Sequence, residues 1–395
     1  MKLFSSLANP EYETTPFVDF HLVNPGTDLQ ELNLNWKERD LPEKTRTKHV
    51  HRLHPYLGKY IPQLVEIFLR KFKPSTVYDP FCGSGTTLVE ANTLGIESIG
   101  CDISSFNCLV TRAKVAAYDP ELLEKEVKAR IRELNEAISP NLFSEVRTVE
   151  NSSEYLRSWF HPNALNALIL YRNLIEGSRY HELLQVILSR SARSARLTTH
   201  HHLDFPKKPQ TEPYQCRKHD RICQPTSDAL QFLRRYSLDT IARVREFARI
   251  RTKSRITIHW DDSRKVKLKK LDMIMTSPPY VGLIDYHEQH RYAYELLGLP
   301  SRETEEIGAA AKGKSIKAHT EYLAGIKQTL ANARSYMTRG GVAVIVVGDR
   351  EGLYTDDLAR ELDFAPICRL RRHVNRRTGR RNGEFFEDVL VWEAA

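Results

Sequence analysis

Two short stretches of the chain combine residue types that chemistry uses. The first is Val77-Tyr78-Asp79-Pro80-Phe81-Cys82-Gly83-Ser84-Gly85-Thr86-Thr87. A β-type run passes through turn residues into Thr87-Leu88-Val89-Glu90-Ala91-Asn92, which reads as a helix. Strand, glycine loop and helix, in that order, set a nucleoside cofactor at the carboxyl end of a strand. Gly83 and Gly85 lack Cβ, so the backbone can turn sharply and a ligand can come close. Thr86 or Thr87 is expected to supply the oxygen that caps the helix. No lysine follows the glycines, so the loop is not a phosphate cradle, and the third glycine of the dinucleotide fingerprint is missing. Glu97-Ser98-Ile99-Gly100-Cys101-Asp102 reads as the next strand. It ends in a carboxylate about twenty residues past the loop, where a ribose-binding acid belongs. The second stretch is Thr276-Ser277-Pro278-Pro279-Tyr280, after the short apolar strand Leu271-Asp272-Met273-Ile274-Met275. By itself it is a stiff loop with polyproline character.

Together these stretches carry a family resemblance. Asp79 to Thr86 resembles motif I of the S-adenosylmethionine-dependent amino-methyltransferases of nucleic acids, and Thr276 to Tyr280 resembles their catalytic motif IV. The resemblance implies S-adenosyl-L-methionine as cofactor, with Asp79, Phe81, Cys82, Gly83, Gly85, Thr86, Thr87, Asp102 and Ile103 around it. The segment before motif I resembles motif X, which lines the methionine end and adds Tyr56, Lys59 and Tyr60. A strand-end acid that reaches the adenine amino group (motif III) falls on Asp261 or Asp262. Ser277, Pro278, Pro279 and Tyr280 are the implied catalytic residues. An exocyclic amine conjugated to a base ring is a poor nucleophile. A rigid Pro-Pro turn can aim a backbone carbonyl and the Ser277 side chain at its two protons. Tyr280 can stack on a base flipped out of its helix. The amine then attacks the sulfonium methyl, and most of the catalysis is positioning. The sequence contains no Pro-Cys pair, which argues against methylation of a ring carbon. Serine at the first position of motif IV is, in the family, typical of cytosine-N4 enzymes. Adenine-N6 enzymes and rRNA or tRNA amino-methyltransferases are the alternatives. The resemblance thus implies a DNA cytosine-N4 methyltransferase, with DNA as partner, RNA not excluded, and a cognate restriction endonuclease as its companion.

The chain has 395 residues, 41% of them hydrophobic, enough for a sizeable core and an inserted subdomain. A formal net charge of +9 favours a polyanionic partner. No apolar run reaches membrane-spanning length, and the polar N-terminus is not a signal peptide. The six scattered cysteines suit reduced thiols, and the expectation is a cytoplasmic protein without membrane contact. No metal is assigned. Cys216, His219 and Cys223 could supply part of a zinc site, with a fourth ligand to be sought among His200 to His202, but their spacing matches no strong zinc signature, and buried or free thiols are the expectation.

The elements that must position these residues give an α/β chain: a Rossmann-like class I methyltransferase core with a mostly helical insertion. Residues 1–45 are a surface arm. Residues 46–118 are the first part of the core, with motifs X, I and II. Residues 119–252 show helical but no strand periodicity and form the insertion, the natural place for target recognition. Residues 253–395 complete the core, with a core strand over 255–260, a mobile loop over 301–318, a buried strand over 342–347 and a terminal hairpin. Motif I precedes motif IV, unlike the permuted order of many cytosine-N4 enzymes. Two arginine-bearing stretches are expected at phosphates: Arg193 and Arg196 in the insertion, and Arg372, Arg376, Arg377, Arg380 and Arg381 in the tip of the hairpin.

Overall fold

Runs of β-branched and apolar residues build a seven-stranded sheet, covered on both faces. The computed structural model describes residues 15–138, 152–200, 202–203, 206–282, 284–313, 315–374 and 384–395. The sheet strands are β1 (Thr76–Asp79), β2 (Glu97–Asp102), β5 (Ile256–Trp260), β6 (Leu271–Thr276), β7 (Met337–Val347), β8 (Phe364–His373) and β9 (Phe386–Ala394). A separate two-stranded ribbon pairs β3 (Tyr214–Cys216) with β4 (Arg221–Cys223). The sheet order is β5-β2-β1-β6-β7-β9-β8. The first five of these run parallel, and β9 lies antiparallel between β7 and β8. The chain leaves β1 towards β2 on one side, and β6 joins β1 on the other. Strand order therefore reverses beside β1, and a crevice opens at the carboxyl ends of β1 and β6, as in other doubly wound sheets.

The helices around that crevice have identifiable starts. Helix α1 (Pro62–Phe72) begins on a proline, whose missing N–H costs nothing at a first turn. Helix α2 (Thr86–Thr93) follows the glycine loop. Helix α3 (Ser105–Val115) is capped by Ser104, which accepts from the Asn107 N–H. The insertion contributes α4 (Pro120–Ala137), α5 (Pro162–Leu174), α6 (His181–Ala195) and α7 (Leu230–Ala248). After β6, α8 (Ile316–Arg334) leads into β7.

The insertion is not a detached body. One apolar cluster runs from Leu88, Phe106 and Leu109 of the core into Leu165, Leu184, Leu188, Leu233 and Val244 of the insertion. Each such buried side chain contributes roughly 1.5–3 kcal/mol, so the insertion and the core stabilise one another.

Three expectations change. Residues 119–252 are not free of strands, because β3 and β4 interrupt the helices. These strands are three residues each, too short for alternation to register. The strand over 255–260 lies at the edge of the sheet, and Trp260 is 41% exposed. The described part of the N-terminal arm is more than a surface strip. Val23, Leu29, Leu34, Trp36 and Leu41 are buried with Leu64, Phe68, Val389 and Val391 over one face of the sheet.

Candidate active site

The glycine loop is held in a conformation that side chains would oppose. Gly83 has φ +49° and Gly85 φ +78°. A Cβ on Gly85 would stand 2.6 Å from the Thr111 methyl. Thr111 donates to the Gly83 carbonyl at 2.9 Å, and Lys114, fully buried, donates to the Ser84 carbonyl at 2.7 Å. Gly85 itself is the N-cap of α2, and no side chain caps that helix. The threonine cap expected from sequence is therefore not used: Thr86 and Thr87 are already helical.

Two buried aspartates at adjoining strand ends organise the loop. Asp79, closing β1, accepts from Thr87 Oγ1 at 2.7 Å, Tyr60 Oη at 3.0 Å, Thr276 Oγ1 at 2.7 Å and the Phe81 N–H at 3.2 Å. Burial pushes its carboxyl above the usual range, against these bonds. Asp102, closing β2, accepts from the Gly83 N–H at 2.8 Å, the Ser104 N–H at 2.9 Å and Asn107 Nδ2 at 3.1 Å. Burial raises it to about 6. Asp79 thus joins the glycine loop to the end of β6, and Asp102 joins it to α3.

The pocket between these ends is lined by Tyr56, Lys59, Tyr60, Asp79, Phe81, Cys82, Gly83, Thr86, Asp102, Ile103 and Asp262 from the expected cofactor set, and by Ser277 and Pro279 from the expected catalytic set. Gly85, Thr87, Asp261, Pro278 and Tyr280 are not on its lining. Gly85 and Thr87 act from behind, through Thr111 and Asp79. Of the two acids after β5, Asp262 is the one at the pocket. Burial pushes its carboxyl up, and the bonds from the Arg264 side chain and amide outweigh this and hold it below the usual range. Asp261 is 45% exposed and pairs with Arg302 at 3.9 Å.

Aromatic rings make one wall. Tyr56 is sandwiched between Tyr286 and His290, with centroids 5.7 and 5.6 Å away and planes 14° apart in each pair. Its hydroxyl accepts from Asn107 Nδ2 at 3.1 Å. Lys59 donates to the His51 carbonyl at 3.0 Å, and burial lowers its ammonium to about 8. The expected loop over the site supplies a second wall. Glu306 accepts from the Tyr286 N–H at 3.0 Å and lies 2.8 Å from His287 Nδ1. Glu305, Glu306 and Ile307 also reach the lining.

Sequence reasoning missed Asn107 and Glu306. The signal for Asn107 was its place five residues past Asp102, on the first turn of a helix aimed at the pocket; Glu306 had none. Ser84 Oγ, Asn107 Oδ1 and His287 Nε2 are buried here with no hydrogen-bond partner among the described residues. Buried polar atoms are rarely left so, which leaves these three available to a polar ligand in the pocket. Burial drives the Cys82 thiol well above its ordinary range, which keeps it protonated and a poor nucleophile.

The Ser277-Pro278-Pro279-Tyr280 turn leaves the carboxyl end of β6 directly after Thr276. Tyr280 is anchored at both ends. Its hydroxyl donates to Glu387 Oε1 at 2.9 Å, and its ring packs against Gly348 and Phe385. Glu387 is held in turn by Arg372 at 2.7 and 3.0 Å.

This corrects two of the arginines expected at phosphates. Arg372 is only 5% exposed and is occupied by Glu387. Arg196 is 4% exposed, lies 4.4 Å over the Tyr292 ring and donates to the Leu203 carbonyl at 2.6 Å. Arg193 is half-buried on α6 and engaged within the protein. Arg376, Arg377, Arg380 and Arg381 lie outside the described residues. Among the histidines before the pocket, His51 bonds Glu90 at 2.7 Å, and Lys48 bonds the same carboxylate at 2.7 Å.

Comparison with known proteins agrees with this geometry. A DNA methylase family of the N6/N4 amino type matches residues 36–112. The type II methyltransferase M.MjaII of Methanocaldococcus jannaschii is 36% identical over 431 aligned residues, covering 89% of this chain and 81% of that protein. The type II methyltransferase M.MvaI of Kocuria varians is 27% identical, covering 60% of this chain and 54% of that protein. A tRNA (guanine(10)-N2)-dimethyltransferase of M. jannaschii is 32% identical over a shorter stretch, 25% of this chain. The sheet and the crevice define a Rossmann-like, class I methyltransferase. The chain belongs to the type II DNA methyltransferases of the N6/N4 amino type, and its cofactor is S-adenosyl-L-methionine. No helix among the described residues is long and apolar enough to cross a membrane.

Proposed function

We propose that this protein methylates the exocyclic N4 of cytosine in DNA, as the modification partner of a type II restriction endonuclease. The observation that carries the reading is Ser277, the residue typical of cytosine-N4 enzymes at this position, on the rim of a pocket that also holds Asp102 and Gly83. Whole-length similarity to a type II methyltransferase, against a partial match to a tRNA enzyme, favours DNA over RNA.

When bound, S-adenosylmethionine supplies an electrophilic methyl group. The chain's own residues do the rest. Asp102 would accept the ribose hydroxyls, and Asp262 or its neighbour Ser263 would meet the adenine end. Lys59 and Tyr56 would face the methionine end, where a carboxylate would offset the burial that lowers the Lys59 ammonium to about 8. Ser277 Oγ and the carbonyl of the Pro-Pro turn would accept the two amine protons of cytosine and draw its lone pair out of the ring. Tyr280, fixed by Glu387 and Phe385, would flank the base and set the angle of approach. The insertion, residues 119–252, would read the DNA sequence.

The test is mass spectrometry of nucleosides after reaction with isotope-labelled cofactor and, separately, duplex DNA and total RNA. Labelled N4-methyldeoxycytidine is expected, and the methylated DNA should resist a cognate endonuclease. Labelled N6-methyldeoxyadenosine would overturn the base assignment. Label confined to ribonucleosides would overturn the choice of DNA.

A further inference from the structure

The β3–β4 ribbon carries more chemistry than its size explains. Each strand is three residues long, and the turn 217–220 between them is exposed. A two-stranded ribbon of this length is below independent stability in water and needs a staple. Cys216 closes β3 and Cys223 closes β4, both nearly buried. His219 lies in the turn, and His200 comes from the segment just past α6.

One ligand atom from each of the four falls within 4.8 Å of all the others. The Cys216 sulfur is 3.5 Å from His200 Nδ1 and 3.8 Å from His219 Nδ1, and the Cys223 sulfur is 3.4 Å from His219 Nδ1. A tetrahedral zinc, with Zn–S near 2.3 Å and Zn–N near 2.0–2.1 Å, holds sulfur and nitrogen donors about 3.6 Å apart. We propose that His200, Cys216, His219 and Cys223 bind one zinc ion in a closed, structural site that staples the ribbon to the end of α6.

The surroundings agree with that assignment. The Tyr214 hydroxyl lies 2.9 Å from His200 Nδ1 and also accepts from the His200 N–H at 3.1 Å. Giving the Nδ1 lone pair to a metal leaves the hydroxyl its amide partner. All four ligands are protein atoms, so no position stays open for water, which is the mark of a structural rather than a catalytic zinc. The site lies in the insertion, apart from the methyl-transfer pocket, and does not depend on which base is methylated. What the staple presents is charge: Arg217, Lys218 and Arg221 are all exposed on the ribbon it fixes. An ordered basic turn meets a polyanion without first losing its own conformational freedom.

The test begins with metal content. Protein purified without chelator should carry about one zinc per chain, and Cys216→Ser or Cys223→Ser should lower that about tenfold or more. Cobalt exchange should give thiolate-to-cobalt charge transfer together with tetrahedral ligand-field bands. In His200→Ala the charge-transfer band should persist while the ligand-field bands change, the signature of His200 as fourth ligand. Removal of the metal should speed tryptic cleavage at Arg217, Lys218 and Arg221 about tenfold or more. Cofactor binding in the same variants serves as the control for folding, and if a variant does not fold, the cobalt spectrum of the parent protein decides alone. A zinc-free parent with no charge-transfer band on cobalt addition, or a Cys216–Cys223 disulfide, overturns the proposal.

Discussion

The pocket at the ends of β1, β2 and β6 and the insertion packed beside it solve opposite problems. In the pocket, polar groups are buried and fixed: Asp79 accepts four hydrogen bonds and Asp102 three. In the insertion the buried groups are largely leucine, isoleucine and valine, and the cations of the ribbon face solvent. The difference teaches where each part takes its specificity. A small ligand of fixed shape is met by preorganised dipoles that water cannot reach. A long polyanion is met by exposed charge on a scaffold that apolar packing keeps in place.

Asp102→Ala should break this contrast most. It removes the acceptor of Gly83 and Ser104 along with the proposed partner of the ribose hydroxyls. Cofactor affinity should fall about a hundredfold or more by calorimetry, with the far-UV circular dichroism unchanged. Gly348→Ala comes next. Its Cβ would press within 3.1 Å of the Tyr280 ring and 2.9 Å of Phe385. We expect kcat to fall about tenfold or more while cofactor affinity stays within about twofold. An unchanged kcat would remove Tyr280 from the chemistry.

A pH titration gives a smaller effect with a definite sign. In the free protein burial lifts Asp102 to about 6. A raised carboxyl destabilises the free fold as pH climbs from about 4 to about 6, because the charged form is the disfavoured one. Hydroxyl donors favour that charged form, so binding should release a proton. Cofactor affinity should then be roughly fivefold weaker at pH 5 than at pH 7.5, and Asp102→Asn should flatten the profile. The smallest change separates cations on the surface from cations inside. Lys218→Ala should lower the salt slope of DNA binding by about one unit. Arg196→Ala should leave the slope alone and lower the melting temperature, since its guanidinium packs on Tyr292.

The two regions also differed in how far the sequence revealed them. Strand ends, glycines and acids in the first region follow from local chemistry. Gly83, Asp79 and Asp102 were legible because each needs a residue type at a fixed distance from a strand. Asp262 could not be separated from Asp261 without knowing which way the chain turns after an edge strand. Glu306 was invisible, since its partner His287 stands 19 residues away in the sequence. The fold of the insertion was legible as helices, but strands of three residues carry no period to detect. Arg196 and Arg372 misled because charge counts cannot tell a cation facing solvent from one paired with a carboxylate or an aromatic ring. Choosing His200 from the run His200 to His202 needed the third dimension, since it stands 16 residues before Cys216.

One bond sets a boundary for anyone who would redesign the enzyme. Thr276 Oγ1 donates to Asp79, the same carboxylate that holds Thr87 and Tyr60. Grafting a motif from an adenine-N6 relative is an obvious route to a new base preference. The exchangeable cassette begins at residue 277. A graft that also replaces Thr276 with a side chain lacking a hydroxyl would loosen the cofactor loop, and its loss of activity would be misread as a failure to accept the new base.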